Sequence, residues 1–180
     1  MKTVKLSEVS VGKIFKVGDF EFIKFAEKDG VAAVVSKNIL FKSEFGKNVN
    51  LAESIVLERL NKEILPEIEK AIGAENVCEF ETDLTTLDGL KNYGKMQSKI
   101  SLPTLDFYRE NVKIFDKYKV NSWWWIATPD SATPHWDSPF ILCVSPDGDF
   151  GNYCYYDCVG VRPFLSFISS ISSISVSCEE

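Results

Sequence analysis

The chain has 180 residues, of which 45% are apolar and 26% are charged. These values fit one folded domain and exclude two large domains, disorder and fibrous classes. Residues 1–120 hold 19 basic and 19 acidic side chains, so the net charge of −6 comes entirely from residues 121–180. Because this last third is also rich in aromatic residues and has a single basic one, we expect no nucleic-acid partner.

The sequence shows no secretion or membrane signal. Its first residues lack an apolar segment, and no run approaches the roughly 18 apolar residues of a membrane span. We therefore expect no membrane insertion. We expect the chain to be made in the cytosol, either as a cytoplasmic protein or for incorporation into a virion or surface assembly. The five cysteines are an odd number, which favours free buried thiols over a disulfide framework.

The first half of the chain predicts a sheet followed by a helix. Residues 9–41 alternate apolar and charged side chains, which predicts three short antiparallel strands. In residues 51–72 leucine and isoleucine recur at helical spacing, so we expect one helix, or two end to end, with Pro66 at the kink and Gly73 as C-cap. Residues 73–100 are expected to be mostly loop.

A second helix and a tryptophan-rich strand follow. A hydroxyl side chain within residues 101–104 is a suitable N-cap for a short helix over the next ten or so residues. Residues 123–126 are too bulky for a loop and predict a strand, with Trp124 and Ile126 on one face and Trp123 and Trp125 on the other. We expect at least one of these faces to be core.

Residues 128–139 predict a loop, because three prolines interrupt any helical or strand period. This loop carries the only histidine, His135, together with Trp136 and Asp137. Loops on rigid scaffolds often carry function, and an exposed tryptophan costs solubility unless it is packed or used. Trp136 either folds back over the edge of the core or binds a ligand.

The last third continues with a predicted hairpin. Residues 140–144 form a buried strand, Asp147 and Gly148 complete a tight turn, and the second strand returns over 149–156. Asp147 and Asp149 also suit calcium, but the full ligand set of a calcium loop is missing, so turn chemistry is favoured.

Residues 159–165 predict the last core strand. Gly160 permits a close approach, and Pro163 places its missing N–H at an edge or bulge. Arg162 stands alone in an apolar run, where it is either a structural clamp or a ligand contact. The serine and isoleucine repeat of residues 168–180 is expected to be a terminal strand or a frayed end. We therefore predict one α+β domain over 1–167 and a C-terminal tail.

Three segments of this region resemble a known pattern. Trp124–Pro129, then Ser-Pro-Asp-Gly at 145–148, then Gly-Val-Arg-Pro-Phe-Leu at 160–165 are similar to an uncharacterised domain family of bacteria and their phages. That family has a WW…DG…GVRP pattern and a C-type-lectin-like fold, which implies such a fold for about 100–167, with N-terminal β-strands and two helices before it. A related ending occurs in lectin-like variable proteins of phages and in formylglycine-generating enzymes.

The resemblance implies a ligand surface in the loop 128–139 and in residues 151–157. Ala127 stands where the family commonly has a basic residue, so an anion contact is not expected there. The calcium and sugar motifs of C-type lectins are also missing from the sequence, so calcium-dependent sugar binding is not expected.

Enzyme chemistry finds little support. His135 with Cys143, Cys154 and Cys158 could hold a metal, but only one closely spaced cysteine pair exists. A thiol nucleophile with His135 as base has no local signature, and the chain is too short for a formylglycine-generating enzyme. No nucleotide or cofactor motif occurs, so we expect no cofactor.

The sequence therefore predicts a non-catalytic recognition module of a phage or bacterial surface assembly that binds a protein or carbohydrate through aromatic side chains. The alternatives are a small metal- or thiol-dependent enzyme and a self-assembling structural subunit. The candidate ligand-binding residues are His135, Trp136, Asp137, Asn152, Tyr153, Tyr155 and Tyr156. The candidate structural residues are Trp124, Trp125, Asp147, Gly148, Gly160, Arg162 and Pro163.

Overall fold

Strands outnumber helices in this mixed α and β structure. The computed structural model describes residues 2–132, 138–172 and 174–176. The strands are β1 (Lys2–Val4), β2 (Ile14–Val17), β3 (Phe20–Lys28), β4 (Val31–Ser36), β5 (Phe41–Ser43), β6 (Val77–Cys78), β7 (Phe80–Asp83), β8 (Lys95–Ser98), β9 (Ile100–Ser101), β10 (Trp124–Pro129), β11 (Phe140–Val144), β12 (Phe150–Cys154), β13 (Val159–Val161), β14 (Phe164–Ile168) and β15 (Ile174–Val176).

The larger sheet has eight antiparallel strands. Seven follow the order β1-β15-β2-β3-β4-β14-β6, and β9 also pairs with β14. Strands β2, β3 and β4 are the three antiparallel strands that the alternating pattern of 9–41 predicts, so that prediction is confirmed. The chain end also joins this sheet, because β15 pairs with both β1 and β2. Ile171 and Ile174 of the predicted tail are buried in the core.

The smaller sheet carries the tryptophan-rich segment. Its order is β12-β11-β10-β13-β5, and only the β10–β13 pair is parallel. Strand β12 therefore lies at one edge, with β11 as its single strand partner. Strand β10 continues to Pro129, so the predicted loop begins later than residue 128.

The helices follow their sequence signals closely. A continuous helical segment comprises α1 (Ile55–Arg59), a π-helical turn (Leu60–Ile64) and α2 (Leu65–Ile72), with Pro66 in the first turn of α2. Ser54 caps the start of α1, and Gly73 ends α2 with a φ of 89°. Helices α3 (Leu105–Glu110) and α4 (Val112–Lys117) follow the Thr104 N-cap.

Residues 73–100 contain more strand than expected, although the whole of 84–94 is loop, so that expectation holds in part. They contain β6 and the hairpin of β7 and β8, with cross-strand pairs from Phe80↔Ser98 to Asp83↔Lys95. The hairpin strands have only four residues each, and their outward side chains are charged or polar. Cross-strand contacts such as the 2.6 Å ion pair of Lys95 with Glu81 stabilise them, and a local apolar pattern does not reveal such contacts.

Both faces of β10 are buried. Trp124 and Ile126 belong to one hydrophobic cluster, whereas Trp125 and Ala127 belong to the other. This alternation confirms the predicted strand. We expected at least one face to be core, and both faces are. The indole N–H of Trp125 donates to the carbonyl of Ser43 at 3.0 Å, so its one polar group is satisfied.

The predicted last core strand is two strands in different sheets. Strand β13 ends at Val161 in the smaller sheet, and β14 begins at Phe164 in the larger one. Arg162 lies between them with only 1% of its surface exposed. Pro163 has no N–H for a ladder hydrogen bond, which suits it to this break between strands.

Arg162 joins the two sheets through backbone oxygens. Its Nε donates to the Ser36 carbonyl and its Nη2 to the Lys37 carbonyl, both at 3.2 Å. Its guanidinium carbon also lies 4.8 Å from the centre of the Trp124 ring. Burial lowers the pKa of Arg162 to about 10, which still leaves it charged at neutral pH.

Replacing Arg162 with methionine should destabilise the protein by about 2–4 kcal/mol, because one buried and one partly buried carbonyl lose their donors. The matched control is Arg59→Met. Arg59 is partly exposed and forms an ion pair with Glu63, so its loss should cost under about 1 kcal/mol. Urea unfolding followed by circular dichroism gives both values. Equal losses in the two variants would contradict the proposed link between the sheets.

Candidate recognition surface

Four of the predicted ligand-binding residues lie on or just after the edge strand β12. Asn152 and Tyr156 are exposed, whereas Tyr153 and Tyr155 are half-buried. His135, Trp136 and Asp137 lie outside the described residues. We call β12 and the following turn to Asp157 the β12 edge.

The backbone of the β12 edge alternates between paired and open groups. The ladder to β11 runs between the Ser145 N–H bond to the Asp149 carbonyl and the Tyr155 N–H bond to the Pro139 carbonyl, each 2.9 Å long. In an antiparallel pair the residues that hydrogen-bond to the neighbouring strand recur at every second position. The backbone N–H and C=O groups of Gly151 and Tyr153 therefore also point toward β11. The N–H and C=O groups of Phe150, Asn152 and Cys154 therefore point away from the sheet.

A turn occupies the outward groups of Cys154. Its N–H donates to the Asp157 carboxylate at 2.9 Å, and its carbonyl accepts from the Asp157 N–H at 2.8 Å. Among the described residues, the outward groups of Phe150 and Asn152 have no such partner. They leave two donors and two acceptors at the edge of the sheet.

The side chains of the β12 edge lie on both faces of the sheet. Tyr153 packs against Trp123, with ring centres 5.4 Å apart, on the side of the larger core cluster. Phe150 contacts Tyr108 on the opposite side, at 5.0 Å, and remains 44% exposed. Asn152 shares the face of Phe150, because side chains two residues apart in a strand point the same way. The predicted site residues therefore flank the edge and do not form one flat face.

The turn after β12 holds two tyrosines in fixed positions. Tyr155 is anchored by its carbonyl, which accepts from the N–H groups of Phe45 and Gly46 at 2.8 and 3.2 Å. Its ring lies nearly perpendicular to that of Tyr156, with centres 5.4 Å apart. Tyr156 is 59% exposed, a larger fraction than the 44% of Phe150. The neighbouring Cys154 thiol raises the pKa of Tyr156, so this phenol is neutral at physiological pH.

The predicted structural residues lie beneath the surface or at its turn. Trp124, Trp125 and Arg162 are buried as described above. Gly148 has a φ of 94° and completes the turn with Asp147, because its N–H donates to the Ser145 carbonyl at 3.1 Å. A Cβ atom at Gly160 would lie 2.8 Å from the Trp123 carbonyl oxygen, which explains the need for glycine there.

Burial raises the thiol pKa of two described cysteines, Cys78 and Cys143. Cys143 is buried, and burial strongly raises the pKa of its thiol, so it stays protonated at neutral pH. Within residues 2–132, 138–172 and 174–176, no three histidine, cysteine or acidic side chains come together as metal ligands. His135 lies outside this part of the chain.

The sequence analysis missed Phe150 as a surface residue. Phe150 follows the Asp-Gly-Asp turn and begins a short strand. Its hydrophobicity alone predicts a core residue. Its exposure follows from the position of β12 at the sheet edge, which depends on contacts distant in sequence.

Comparison of the chain with family models, curated proteins and solved structures gives no match. The helices of the described residues are too short or too polar to cross a bilayer.

Replacing Gly151 with alanine should displace Trp123, because the new Cβ would lie 2.8 Å from its Cζ3 atom. We expect a loss of about 1–3 kcal/mol in the free energy of unfolding and a change in near-ultraviolet circular dichroism. The double variant Gly151→Ala with Trp123→Phe removes the clashing ring atoms. The double variant should lose less free energy of unfolding than the two single variants lose in sum. Strictly additive losses would contradict the packing of Gly151 against Trp123.

Proposed function

We propose that this protein is a non-catalytic recognition module that binds an extended segment of a protein partner along the β12 edge. The observation that carries the proposal is that, among the described residues, the outward backbone groups of Phe150 and Asn152 have no partner, and that the exposed ring of Tyr156 follows them on the same edge. An extended peptide can add a strand at such an edge, with main-chain hydrogen bonds for affinity and alternate side chains for specificity.

The arrangement favours a peptide over a carbohydrate. A peptide strand presents side chains to both faces of the sheet, as Asn152 and Tyr153 do from opposite sides of β12. A sugar ring needs an open aromatic face, whereas Tyr153 meets Trp123 at its ring, and Tyr155 and Tyr156 meet edge to face. Asp149 is exposed at the start of β12, so a neutral or basic segment suits the charge of this edge.

We further propose a C-type-lectin-like fold for the C-terminal half and a place in a phage or bacterial surface assembly. The antiparallel strands β10, β11 and β12 and the long connection between β10 and β11 support this proposal. The residues of the resemblance also support it, since Trp124, Trp125, Gly148 and Arg162 have structural positions. The implied ligand surface, between the tryptophans and the GVRP segment, includes the β12 edge.

The test is a matched pair of variants at one residue. Asn152→Pro removes the outward N–H, a change that an edge strand tolerates, whereas Asn152→Ala keeps the backbone and removes only the side chain. Wild-type protein is used to select binders from a random decapeptide library and from a glycan array. For selected peptides we expect about a tenfold or larger loss of affinity with Asn152→Pro and a smaller loss with Asn152→Ala.

A second pair tests the aromatic contribution. Tyr156→Ala should weaken peptide binding, and Val112→Ala, at an exposed apolar residue of α4, should leave it unchanged. Urea unfolding of each variant confirms that the fold is intact. Glycan binders that lose affinity with Tyr156→Ala but not with Asn152→Pro would assign a carbohydrate ligand and overturn the proposal. A concentration-dependent oligomer in light scattering that Asn152→Pro dissolves would instead assign the edge to self-association.

A further inference from the structure

A second candidate site lies away from the β12 edge, where the β7–β8 hairpin meets α3. It begins with an apolar cavity of about 130 Å³. Three phenylalanine rings line it, one each from β7, α3 and β14. Phe164 meets Phe80 and Phe107 edge to face, with ring centres 4.8 and 4.9 Å apart. Leu102 and Pro103 complete the apolar wall, and Glu81, Thr82 and Thr104 also line the cavity.

A polar cavity of about 220 Å³ adjoins the apolar one. Thr104 lines both cavities, so they meet at this residue. The polar cavity presents Asp83 from the end of β7, Asp106 and Arg109 from α3, and the hydroxyl groups of threonine residues. Together the two cavities slightly exceed the lower limit of about 300 Å³ for small-molecule sites.

The charges of the polar cavity favour a cation. The Asp83 carboxylate accepts from the Thr85 hydroxyl at 2.5 Å and from the Thr85 N–H at 2.9 Å, and these bonds lower its pKa. Asp83 is therefore an anion at neutral pH. Asp106 lies 3.6 Å from Arg109, so these two charges offset each other and the lining of the cavity keeps one net negative charge. Lys91 and Lys95 also act on the Asp83 carboxylate from outside the lining, and Lys95 is itself paired with Glu81 at 2.6 Å.

The geometry points to a small aromatic amine as the ligand, with its ring between Phe80, Phe107 and Phe164 and its ammonium group at Asp83. An apolar cavity of about 150 Å³ is known to accept benzene, so one ring fits the scale of the apolar cavity. Edge-to-face ring contacts suit a further aromatic ring. A primary ammonium offers three donors to a carboxylate whose oxygens are already partly bonded. This inference is independent of the proposed peptide site.

The experiment titrates the full chain with 2-phenylethylamine and with 2-phenylethanol, its neutral counterpart. Signals of ¹³C-labelled phenylalanine rings report the site in NMR spectra. We expect a dissociation constant on the order of 1 mM for the amine, as its size allows. Binding of the alcohol should be about fivefold weaker at low salt, and the difference should shrink as salt is added.

Two variants locate the charge. Asp83→Asn retains an oxygen for Thr85 and should remove the preference for the amine without loss of alcohol binding. Asp19→Asn, in the turn between β2 and β3, should leave the preference unchanged. Phenylacetate, an anion with the same ring, should bind more weakly than the alcohol. The inference is overturned by equal binding of amine and alcohol, by a preference that survives Asp83→Asn, or by no ring-signal shift at about 10 mM amine.

Discussion

The burial of both faces of β10 is the constraint on which the rest of the structure depends. Trp124 enters one cluster and Trp125 the other, so the smaller sheet must be covered on both sides. Helices α3 and α4 contribute to one hydrophobic cluster and the α1–α2 segment contributes to the other, whereas the larger sheet contributes residues to both. Arg162 secures this arrangement, because its guanidinium lies against Trp124 while it holds the carbonyls after β4.

A sheet covered on both faces can offer a partner only its edges and connecting turns. One edge, β5, continues into residues 45 and 46, which bond to the Tyr155 carbonyl. The other edge is β12, where the outward backbone groups of Phe150 and Asn152 have no partner among the described residues. The burial that makes most of the tryptophans structural therefore also limits the proposed peptide site to a short stretch of one strand.

Local periodicity predicts much of this fold. The alternating residues of β2, β3 and β4, the helical spacing of 55–72 and the Thr104 cap each depend on neighbours in sequence, so the sequence indicates them well. The passage of the chain between sheets at Arg162 depends on carbonyls about 125 residues away, which no local pattern indicates. The opposite directions of Asn152 and Tyr153 could have been predicted, since neighbours in a strand always face opposite sides. That β12 is an edge could not.

Lys24 shows the same limit in the core. It lies in a predicted strand, where alternation allows a charged residue only on a solvated face, yet it is 1% exposed. Its ammonium donates to the carbonyls of Leu6 and Val9 and pairs with Glu27. Those carbonyls belong to a short helical turn and the residue after it, more than ten residues before the strand. The Lys24 ammonium is therefore solvated by distant backbone carbonyls, whereas the alternating pattern predicts that water solvates it.

The shortness of the β12 edge determines what kind of binding it can support. Asp157 occupies the outward groups of Cys154 at one end, and the Ser145–Asp149 turn closes the other. An added strand could therefore make only a few main-chain hydrogen bonds, each contributing about 0.5–1.5 kcal/mol before the cost of association. Such an edge resists open-ended strand addition, which protects the protein from aggregation. Affinity for the proposed partner would then have to come mainly from side chains, and among the described residues Tyr156 and Phe150 are the exposed aromatic residues of this edge.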